Sequence, residues 1–365
     1  MERTKVKNLA RQIRGVSYKP EDLHDSLDDT AVILLRANNI DEGKINFDDV
    51  VYVDKSKVSN EQYLKVGDVL ICASSGSKQL VGKAASVDFD TPCTFGAFCK
   101  VVRPNNDVAD YLGKYFQSGV YRRKISEVAI GANINNIRNE HIDSLDIPIY
   151  ESDQVRGIVE KIGLLQNIID NRKCELSKLD ELIKARFVEM FGDVVLNTKK
   201  WENYTWDNVL TIKNGKNQKD VENPKGIYPI CGSGGIMNYA DDYITESNSV
   251  IIGRKGNINN PILMREKFWN VDTAFGLEPN TTVLNVDYLF MFCNFFDFEI
   301  LNKAVTIPSL TKADLLKIII PIPPIELQNQ FADFVKQVDK SKVVVQKALD
   351  EAQILFDSLM QEYFG

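Results

Sequence analysis

The chain of 365 residues repeats itself, and this repeat limits the folds that it can adopt. Residues 131–149 and 304–322, which lie 173 positions apart, align without a gap, so that Pro148-Ile149 meets Pro321-Ile322. The two segments share an apolar pattern more than they share identical residues. A repeat of this length indicates two copies of one structural unit in a single chain.

The repeat continues upstream at offsets that change slowly, as loops of unequal length would produce. The matching segments are Gly67–Ile71 with Asn248–Ile252, Phe95-Gly96 with Phe275-Gly276, and Tyr111-Leu112 with Tyr288-Leu289. The repeating unit is therefore a globular lobe followed by a helix. We define residues 1–150 as the first lobe and residues 194–325 as the second lobe.

Each lobe contains short runs of β-forming residues between clusters of Gly, Asn, Asp and Pro, which favours a mixed, mostly β domain. The runs include Ala31–Leu35, Asp49–Val53, Val69–Ile71 and Ser249–Ile252. One helix is predicted near Val108–Ser118, and its counterpart near Val286–Phe296. These patterns do not determine the order of the strands.

Residues 151–193 and 326–365 carry apolar side chains at alternating three- and four-residue steps, which is typical of a coiled coil. The first series is Ile158, Ile162, Leu165, Ile169, Leu176, Leu179, Ile183 and Met190, with Arg172 and Arg186 also in the seam. The second series is Phe331, Val335, Val338, Val345, Leu349, Ala352, Phe356, Leu359 and Tyr363, with Lys342 in the seam. We predict an α+β fold in which the two lobes are separated by two long helices packed as an antiparallel coiled coil. In the alternative, each helix packs only on its own lobe.

The net charge of −7, from 44 Lys and Arg against 51 Asp and Glu, argues at first against a nucleic-acid partner. Phosphate binding needs local positive charge. The first lobe, however, has 20 basic and 21 acidic residues, and the second has 13 and 14, so most of the acidic excess lies in the helices. Composition therefore neither establishes nor excludes DNA as a partner.

The N-terminal residues lack the apolar core of a signal peptide, and no segment reaches the roughly 18 continuous apolar residues of a membrane span. We expect a cytoplasmic protein with no membrane partner. The six cysteines form no CxxC pair, and only two histidines could complete a zinc site. Buried, reduced thiols are expected, and no metal site.

Motifs that carry catalysis are absent or incomplete. Gly76–Ala84 departs from a nucleotide-binding P-loop in its glycine spacing and in the residue after Lys83. Gly232–Gly235 lacks the strand and helix that flank a dinucleotide site, so a plain turn is the better interpretation. Glu42-Gly43-Lys44 has the Glu-x-Lys spacing of many metal-dependent nucleases, but such a tripeptide is common by chance. The sequence thus predicts a protein that is not itself an enzyme.

Polar loops with side chains that can read DNA recur at matched places in the two lobes. Small residues allow the backbone to approach phosphate, while Arg, Lys, Gln and Asn can pair with base edges. The candidates in the first lobe are Ser74, Ser75, Ser77, Lys78, Gln79, Lys83, Arg122, Arg123, Lys124, Asn133, Asn135, Asn136 and Arg138. Those in the second are Lys213, Asn214, Lys216, Asn217, Lys219, Arg254, Lys255, Asn257, Thr306, Ser309, Thr311 and Lys312. Taken singly, a loop of this kind is more often a solvated turn than a contact surface, but the recurrence of these loops in both lobes favours DNA binding.

The chain resembles the specificity subunits of type I restriction-modification systems. The resemblance rests on GDVLICASSG and NSVIIGRKGN, on ANINNIRNEHIDSLDIPIY and TIPSLTKADLLKIIIPIPP before the helices, and on the ending LFDSLMQEYFG. The order of lobe, helix, lobe and helix covers nearly the whole chain. It is more specific than any single motif.

The resemblance implies that each lobe reads one half of a split, asymmetric site in double-stranded DNA, and that the helices set the unread gap. It also implies two modification subunits, which carry S-adenosylmethionine and methylate adenine, and two restriction subunits, which use ATP and Mg²⁺. This chain would bind none of these cofactors. The alternative is a coiled-coil adaptor whose lobes bind protein. A third reading is a nuclease that uses Glu42 and Lys44.

Overall fold

The computed structural model describes residues 2–77, 79–105, 108–131, 136–304 and 306–365. The chain divides into two compact units, Met1–Arg172 with Ala348–Gly365, and Lys173–Lys347. Each unit contains one lobe and a part of each long helix. None of the helices within the described ranges is both long enough and apolar enough to cross a membrane.

The first lobe is built from twelve strands and four short helices among its described residues. The strands are β1 (Arg3–Lys5), β2 (Ala10–Arg14), β3 (Leu23–His24), β4 (Ala31–Leu35), β5 (Ile40–Asp41), β6 (Lys44–Ile45), β7 (Val51–Asp54), β8 (Val69–Cys72), β9 (Ala84–Ser86), β10 (Cys93–Phe95), β11 (Cys99–Pro104) and β12 (Asp146–Pro148). The helices are α1 (Val6–Leu9), α2 (Ala109–Gln117), α3 (Gly119–Gly131) and α4 (Asn139–Asp143). The helix predicted near Val108–Ser118 is confirmed as α2.

Long helix α5 (Ser152–Phe191) leads into the second lobe, and long helix α9 (Ile325–Phe364) follows it. The strands of the second lobe are β13 (Glu202–Thr205), β14 (Leu210–Asn214), β15 (Tyr228–Gly232), β16 (Gly235–Ala240), β17 (Ser249–Gly253), β18 (Ile262–Met264), β19 (Trp269–Asn270), β20 (Ala274–Pro279) and β21 (Ile319–Ile322). Its helices are α6 (Trp206–Val209), α7 (Val286–Phe295) and α8 (Lys312–Leu315). The helix predicted near Val286–Phe296 is confirmed as α7.

Both lobes contain the same antiparallel core sheet of four strands. Its order is β2-β11-β8-β9 in the first lobe and β14-β20-β17-β18 in the second. Every residue of β8 and of β17 is buried, as expected of central strands that are covered on both faces. Ile71 of β8 pairs with Lys100 of β11, and Ile252 of β17 pairs with Phe275 of β20. Ile71 and Ile252 thus occupy the same place in their sheets, which confirms the predicted alignment of β8 with β17.

A second sheet distinguishes the lobes. In the first lobe its order is β10-β4-β7-β3, with β10 parallel to β4. In the second lobe it has three strands in the order β16-β15-β19. The repeat is therefore kept in the core sheet, whereas the second sheet differs in strand number and order.

The predicted match of Phe95-Gly96 with Phe275-Gly276 is wrong. Phe95 ends β10 in the second sheet, whereas Phe275 lies in β20 of the core sheet. The backbone N–H of Val16 donates to the carbonyl of Phe95 over 2.8 Å, and that of Lys216 donates to the carbonyl of Asn270 over 3.0 Å. The structural counterpart of Phe95-Gly96 is thus Asn270-Val271, a pair with no sequence similarity.

A glycine follows β2 and β14 because another backbone passes close by. A Cβ atom on Gly15 would lie 2.1 Å from the carbonyl oxygen of Gly96, and one on Gly215 would lie 1.8 Å from that of Val271. Backbone atoms cannot move aside as a flexible side chain can. Both lobes therefore require glycine at this place.

The long helices pack on each other within each unit. In the unit Lys173–Lys347, Phe187 of α5 meets Phe331 of α9 with ring centroids 5.3 Å apart, while Lys342 binds Asp180 at 2.7 Å. Descending numbers in α5 meet ascending numbers in α9, so the helices run antiparallel. In the other unit, Ile162 shares an apolar core with Phe356. The predicted α+β class with mostly β lobes and antiparallel long helices is confirmed, and the alternative of helices packed only on their own lobes is wrong.

One predicted seam position differs. Arg186 is only partly buried and pairs with Glu189 at 2.7 Å, while its neighbour Phe187 is fully buried. Phe187 also stands four residues after Ile183 and three before Met190, so it satisfies the same apolar spacing. Burying an aromatic ring stabilises the fold, whereas burying a charged guanidinium costs free energy. Phe187 rather than Arg186 therefore occupies the seam.

Candidate nucleic-acid interface

In the first lobe, the loop after β8 is held against the segment before α4. Ser74 forms a β-bridge with Asn136, and the backbone N–H of Ile137 donates to the carbonyl of Ala73 over 2.7 Å. This pairing places Ser74 and Ser75 beside Asn136 and Arg138. Two groups of candidate residues that lie more than 60 positions apart in sequence are thus brought together.

The second lobe has the same β-bridge and the equivalent backbone hydrogen bond. Lys255 forms a β-bridge with Ser309, the N–H of Leu310 donates to the carbonyl of Arg254 over 2.9 Å, and Gly256 donates to Pro308 over 3.0 Å. The pairing brings Arg254, Lys255 and Asn257 close to Ser309. We call residues 73–80 and 254–257 the reading loops.

A turn before the core strand β11 or β20 fixes the start of each reading loop. In the first lobe, the carbonyl of Phe98 accepts the N–H groups of Ala73 and Ser74, each over 2.9 Å. In the second lobe, the carbonyl of Thr273 accepts those of Arg254 over 2.8 Å and Lys255 over 3.3 Å. Phe98 and Thr273 are therefore structural counterparts, and each lobe presents the same backbone frame with different side chains.

A third segment joins the interface in the second lobe, and a buried amide holds it. The side chain of Asn270, fully buried, donates to the carbonyls of Lys213 and Ala274 over 3.2 and 3.3 Å and accepts from the hydroxyl of Thr245 over 2.8 Å. The indole N–H of Trp269 donates to the carbonyl of Lys216 over 3.1 Å. Lys216, Asn217 and Lys219 are exposed beyond these anchors, and Asn214 lies exposed at the end of β14.

Several candidate cations already have protein partners. Arg122 donates to the carbonyls of Gln79 and Val81 and so clamps the first reading loop. Lys312 donates to the carbonyl of Ile212 over 2.7 Å, and Lys83 lies 3.8 Å from Asp41. Each of these side chains therefore has a contact within its own lobe, and that of Arg122 reaches a reading loop.

Other candidates lie outside the reading loops or outside the described residues. Arg123 binds the side chain of Gln361, and Lys124 approaches the carbonyl of Asp146 at 3.4 Å. Burial lowers the pKa of Lys124. Lys213 pairs with Glu278 at 3.4 Å, and Thr311 caps α8 by accepting from the N–H of Asp314. Thr306 is exposed outside the reading loop, whereas Ser77 is exposed within the first reading loop. Lys78, Asn133 and Asn135 lie outside the described residues.

The first lobe also has an open cleft of about 700 Å³ beside its reading loop. Sequence reasoning missed four of its lining residues, Tyr18, Arg36, Asn38 and Phe98. The guanidinium of Arg36 and the amide of Asn38 both donate to the carboxylate of Asp49, over 3.0 and 2.8 Å. The polar run after strand β4 was a usable signal for Arg36 and Asn38, whereas nothing in the sequence marks Phe98.

The motifs considered for catalysis are turns in this structure. Glu42 and Gly43 adopt positive φ angles of 43° and 80° between β5 and β6, as a tight hairpin requires. Lys44 next to them binds Asp170 at 2.5 Å. The prediction that no strand precedes Gly232–Gly235 is wrong, because β15 ends at Gly232. A strand rather than a helix follows, and Gly232 pairs with Gly235 across the hairpin of β15 and β16, so the interpretation as a plain turn is confirmed.

Comparison with known proteins finds one family model that matches part of this chain. Residues 198–352 match the family described as "Type I restriction modification DNA specificity domain". The chain is 35% identical over 239 residues to the "Type I restriction enzyme EcoKI specificity subunit" of Escherichia coli K12. The aligned region covers 62% of this chain and 51% of that protein. The chain is 38% identical over 180 residues to the "Type I restriction enzyme StySPI specificity subunit" of Salmonella potsdam, covering 49% and 39%.

The fold has a solved counterpart. The crystal structure of the type I restriction-modification S subunit from M. genitalium superposes with a TM-score of 0.60, covering all of this chain and 96% of that one, at 14% identity. Identity at this level shows a shared fold alone. The chain spans about half the length of the first curated relative and less of the second. The resemblance to type I specificity subunits is confirmed.

Proposed function

We propose, from the type I DNA specificity domain carried by residues 198–352, that this chain is the sequence-reading subunit of a type I restriction-modification complex. Residues 1–150 and 194–325 would each read one half of a split site. Residues 151–193 and 326–365 would act as spacer helices. The chain would act in the cytoplasm and would carry no catalytic group of its own.

The observation that supports this proposal best is the repeated backbone frame of the reading loops. The bridges Ser74–Asn136 and Lys255–Ser309 are equivalent, yet the side chains that they present differ. Two lobes that recognise different DNA sequences need the same backbone frame with different side chains. Contacts to the DNA backbone position the protein, whereas contacts to the bases determine which sequence is bound. A split, asymmetric DNA site follows from two such frames in one chain.

Each lobe is nearly neutral, with 20 basic and 21 acidic residues in the first and 13 and 14 in the second. This balance supports DNA binding that is shared with other subunits. Phosphate contacts supply most of the non-specific affinity for DNA. We therefore propose that two modification subunits, which hold S-adenosylmethionine, complete the grip on DNA, and that two restriction subunits add the ATP- and Mg²⁺-dependent steps. The isolated chain is expected to bind DNA weakly.

Each long helix has 40 residues, which at 1.5 Å per residue extends about 60 Å. This length corresponds to somewhat less than two turns of duplex DNA. We propose that the paired helices set the number of unread base pairs between the half-sites. Lengthening both helices by one turn should widen the gap and leave both half-sites unchanged.

The test is methylome sequencing of a host that expresses this chain with its modification subunit, against the same host that lacks only this chain. A methyladenine motif with two short halves and a fixed gap should appear only when the chain is present. The Asn257→Ala variant should relax specificity only in the half read by the second lobe, because an Asn side chain can pair with a base edge. Lys317→Ala is the control, since Lys317 is an exposed residue of the same lobe outside the interface. Normal expression without any new motif would contradict the proposal and favour an adaptor protein.

A further inference from the structure

Phe98 is an exposed aromatic residue beside the first reading loop. Its side chain is 72% exposed, although its backbone carbonyl is fixed by two hydrogen bonds to the start of the reading loop. A phenyl ring held in water by a rigid backbone has no packing role in the lobe itself. The ring is therefore free to contact an external partner.

The surroundings of Phe98 combine apolar and hydrogen-bonding groups. The cleft of about 700 Å³ beside it is lined mainly by carbon, with Tyr18 and Leu80 among its walls, and Ser74, Ser75 and Asn38 at its polar edge. This mixture differs from a purely apolar protein-docking groove. It matches a surface that must accept one apolar group next to hydrogen-bonding groups.

The second lobe shows that this ring is specific to the first. Thr273 occupies the equivalent place, and Lys255 is the counterpart of Ser74. The second lobe therefore presents a polar and a cationic side chain at the two places where the first lobe has an aromatic ring and a serine. The common frame does not require a phenyl ring at this turn, so the ring serves what the first lobe alone reads.

Among the base edges in duplex DNA, one offers an apolar group beside hydrogen-bonding atoms. Thymine displays its 5-methyl group next to the O4 acceptor in the major groove, and Phe is a known type of partner for this methyl group. We infer that Phe98 is a specificity-determining residue that recognises the 5-methyl group of one thymine in the half-site read by the first lobe. This inference rests on the proposed function and adds a chemical identity to one position of the site.

The test uses the full chain assembled with its modification subunit and the site found by methylome sequencing. Thymines are replaced by deoxyuridine one at a time in both half-sites, which removes only the 5-methyl group. Burying one carbon group contributes about 0.8 kcal/mol, so one replacement should weaken binding about fourfold. The Phe98→Ser variant should bind thymine and uracil equally at that position.

Val66→Ser is the matched control, because Val66 is 63% exposed and does not line the cleft. It should keep the sensitivity to the methyl group. The Phe98→Ser complex should still discriminate the half-site read by the second lobe, which shows that the variant is folded and assembled.

The outcomes separate this inference from the proposed function. Sequence-specific binding without any methyl-sensitive position, or with a methyl-sensitive position that Phe98→Ser leaves unchanged, overturns the inference alone. DNA bending that depends on Phe98 without methyl sensitivity would mean that the ring acts as a wedge between bases and also overturns it. Loss of all sequence-dependent binding in the wild-type complex overturns both.

Discussion

The phenolic hydroxyl of Tyr111 donates to the backbone carbonyl of Pro148 over 3.0 Å, and Tyr288 donates to Pro321 in the same way over 2.7 Å. Each bond joins the helix after the core sheet to the strand that precedes a long helix. Both tyrosine side chains are buried. The same buried hydrogen bond therefore occurs at equivalent places in the two lobes, which is direct structural evidence of the internal repeat.

The first prediction concerns these two tyrosines. Tyr111→Phe and Tyr288→Phe should each lower the free energy of unfolding by about 1 kcal/mol, because each removes one buried hydrogen bond without leaving a cavity. All three tryptophans lie in residues 201–269, so their fluorescence in urea reports on the second lobe. Hydrogen exchange in α2 and β12 reports on the first. Tyr239→Phe, on an exposed position, should leave both unchanged.

The second prediction concerns a buried ion pair in the first lobe. Arg103 binds Asp68 through two hydrogen bonds of 2.8 and 2.7 Å and also donates to the carbonyls of Glu61 and Tyr63. Asp68→Ala should cost about 3–5 kcal/mol, because it leaves a buried guanidinium without its counter-charge. Hydrogen exchange in β8 and β11 measures the loss.

A double variant, Asp68→Leu with Arg103→Met, provides the control for this ion pair. Replacing both charges by apolar side chains removes the desolvation penalty together with the attraction. Exchange protection should return toward that of the wild type. If the double variant is as unstable as Asp68→Ala, the unpaired charge of Arg103 is not the cause of the lost stability, and the prediction is wrong.

The third prediction concerns the clamp on the first reading loop. Arg122→Ala should free the carbonyls of Gln79 and Val81, which raises hydrogen exchange in residues 79–83 and weakens discrimination in one half-site. The loop should lose order because the substitution removes both hydrogen bonds. Arg123→Ala is the control, since Arg123 contacts Gln361 instead. Equal effects of the two substitutions would argue against the clamp.

The fourth prediction compares two lysines of the second lobe. Lys255 is exposed in the reading loop, whereas Lys312 donates to the carbonyl of Ile212. Lys255→Ala should reduce the slope of log affinity against log salt by about 1, as loss of one phosphate contact does. Lys312→Ala should mainly lower the stability of the lobe. An unchanged slope for Lys255→Ala would exclude a phosphate contact there.

The fifth prediction concerns stability at alkaline pH. Burial raises the pKa of Cys93 and of Cys99 from the usual 9.0 to about 12. Above pH 9 the unfolded chain loses these protons while the folded chain keeps them, so the free energy of unfolding falls as the pH rises toward 12. Urea unfolding at pH 7, 9 and 10 should show this decline, with a smaller one for Cys93→Ala/Cys99→Ala. Exposed Cys174 should react first with iodoacetamide at pH 8.

The sequence by itself determined the features that depend on local order. Apolar spacing identified both long helices, and the aligned segments around Val69 and Val250 identified one buried strand in each lobe and the loop that follows it. These elements follow from residue periodicity, because one buried face of a helix or strand repeats at a fixed interval. The counterparts Tyr111 and Tyr288 were found from the internal repeat, in which the pair Tyr-Leu recurs.

Only the tertiary structure decided which residues meet across the chain. Phe95 is equivalent to Asn270 rather than to Phe275, Phe187 occupies the place expected for Arg186, and Phe98 stands beside the first reading loop. Each of these depends on the pairing of strands or helices that are distant in sequence. Such pairing is set by the fit of whole surfaces and by backbone hydrogen bonds, which similar letters in a sequence do not encode.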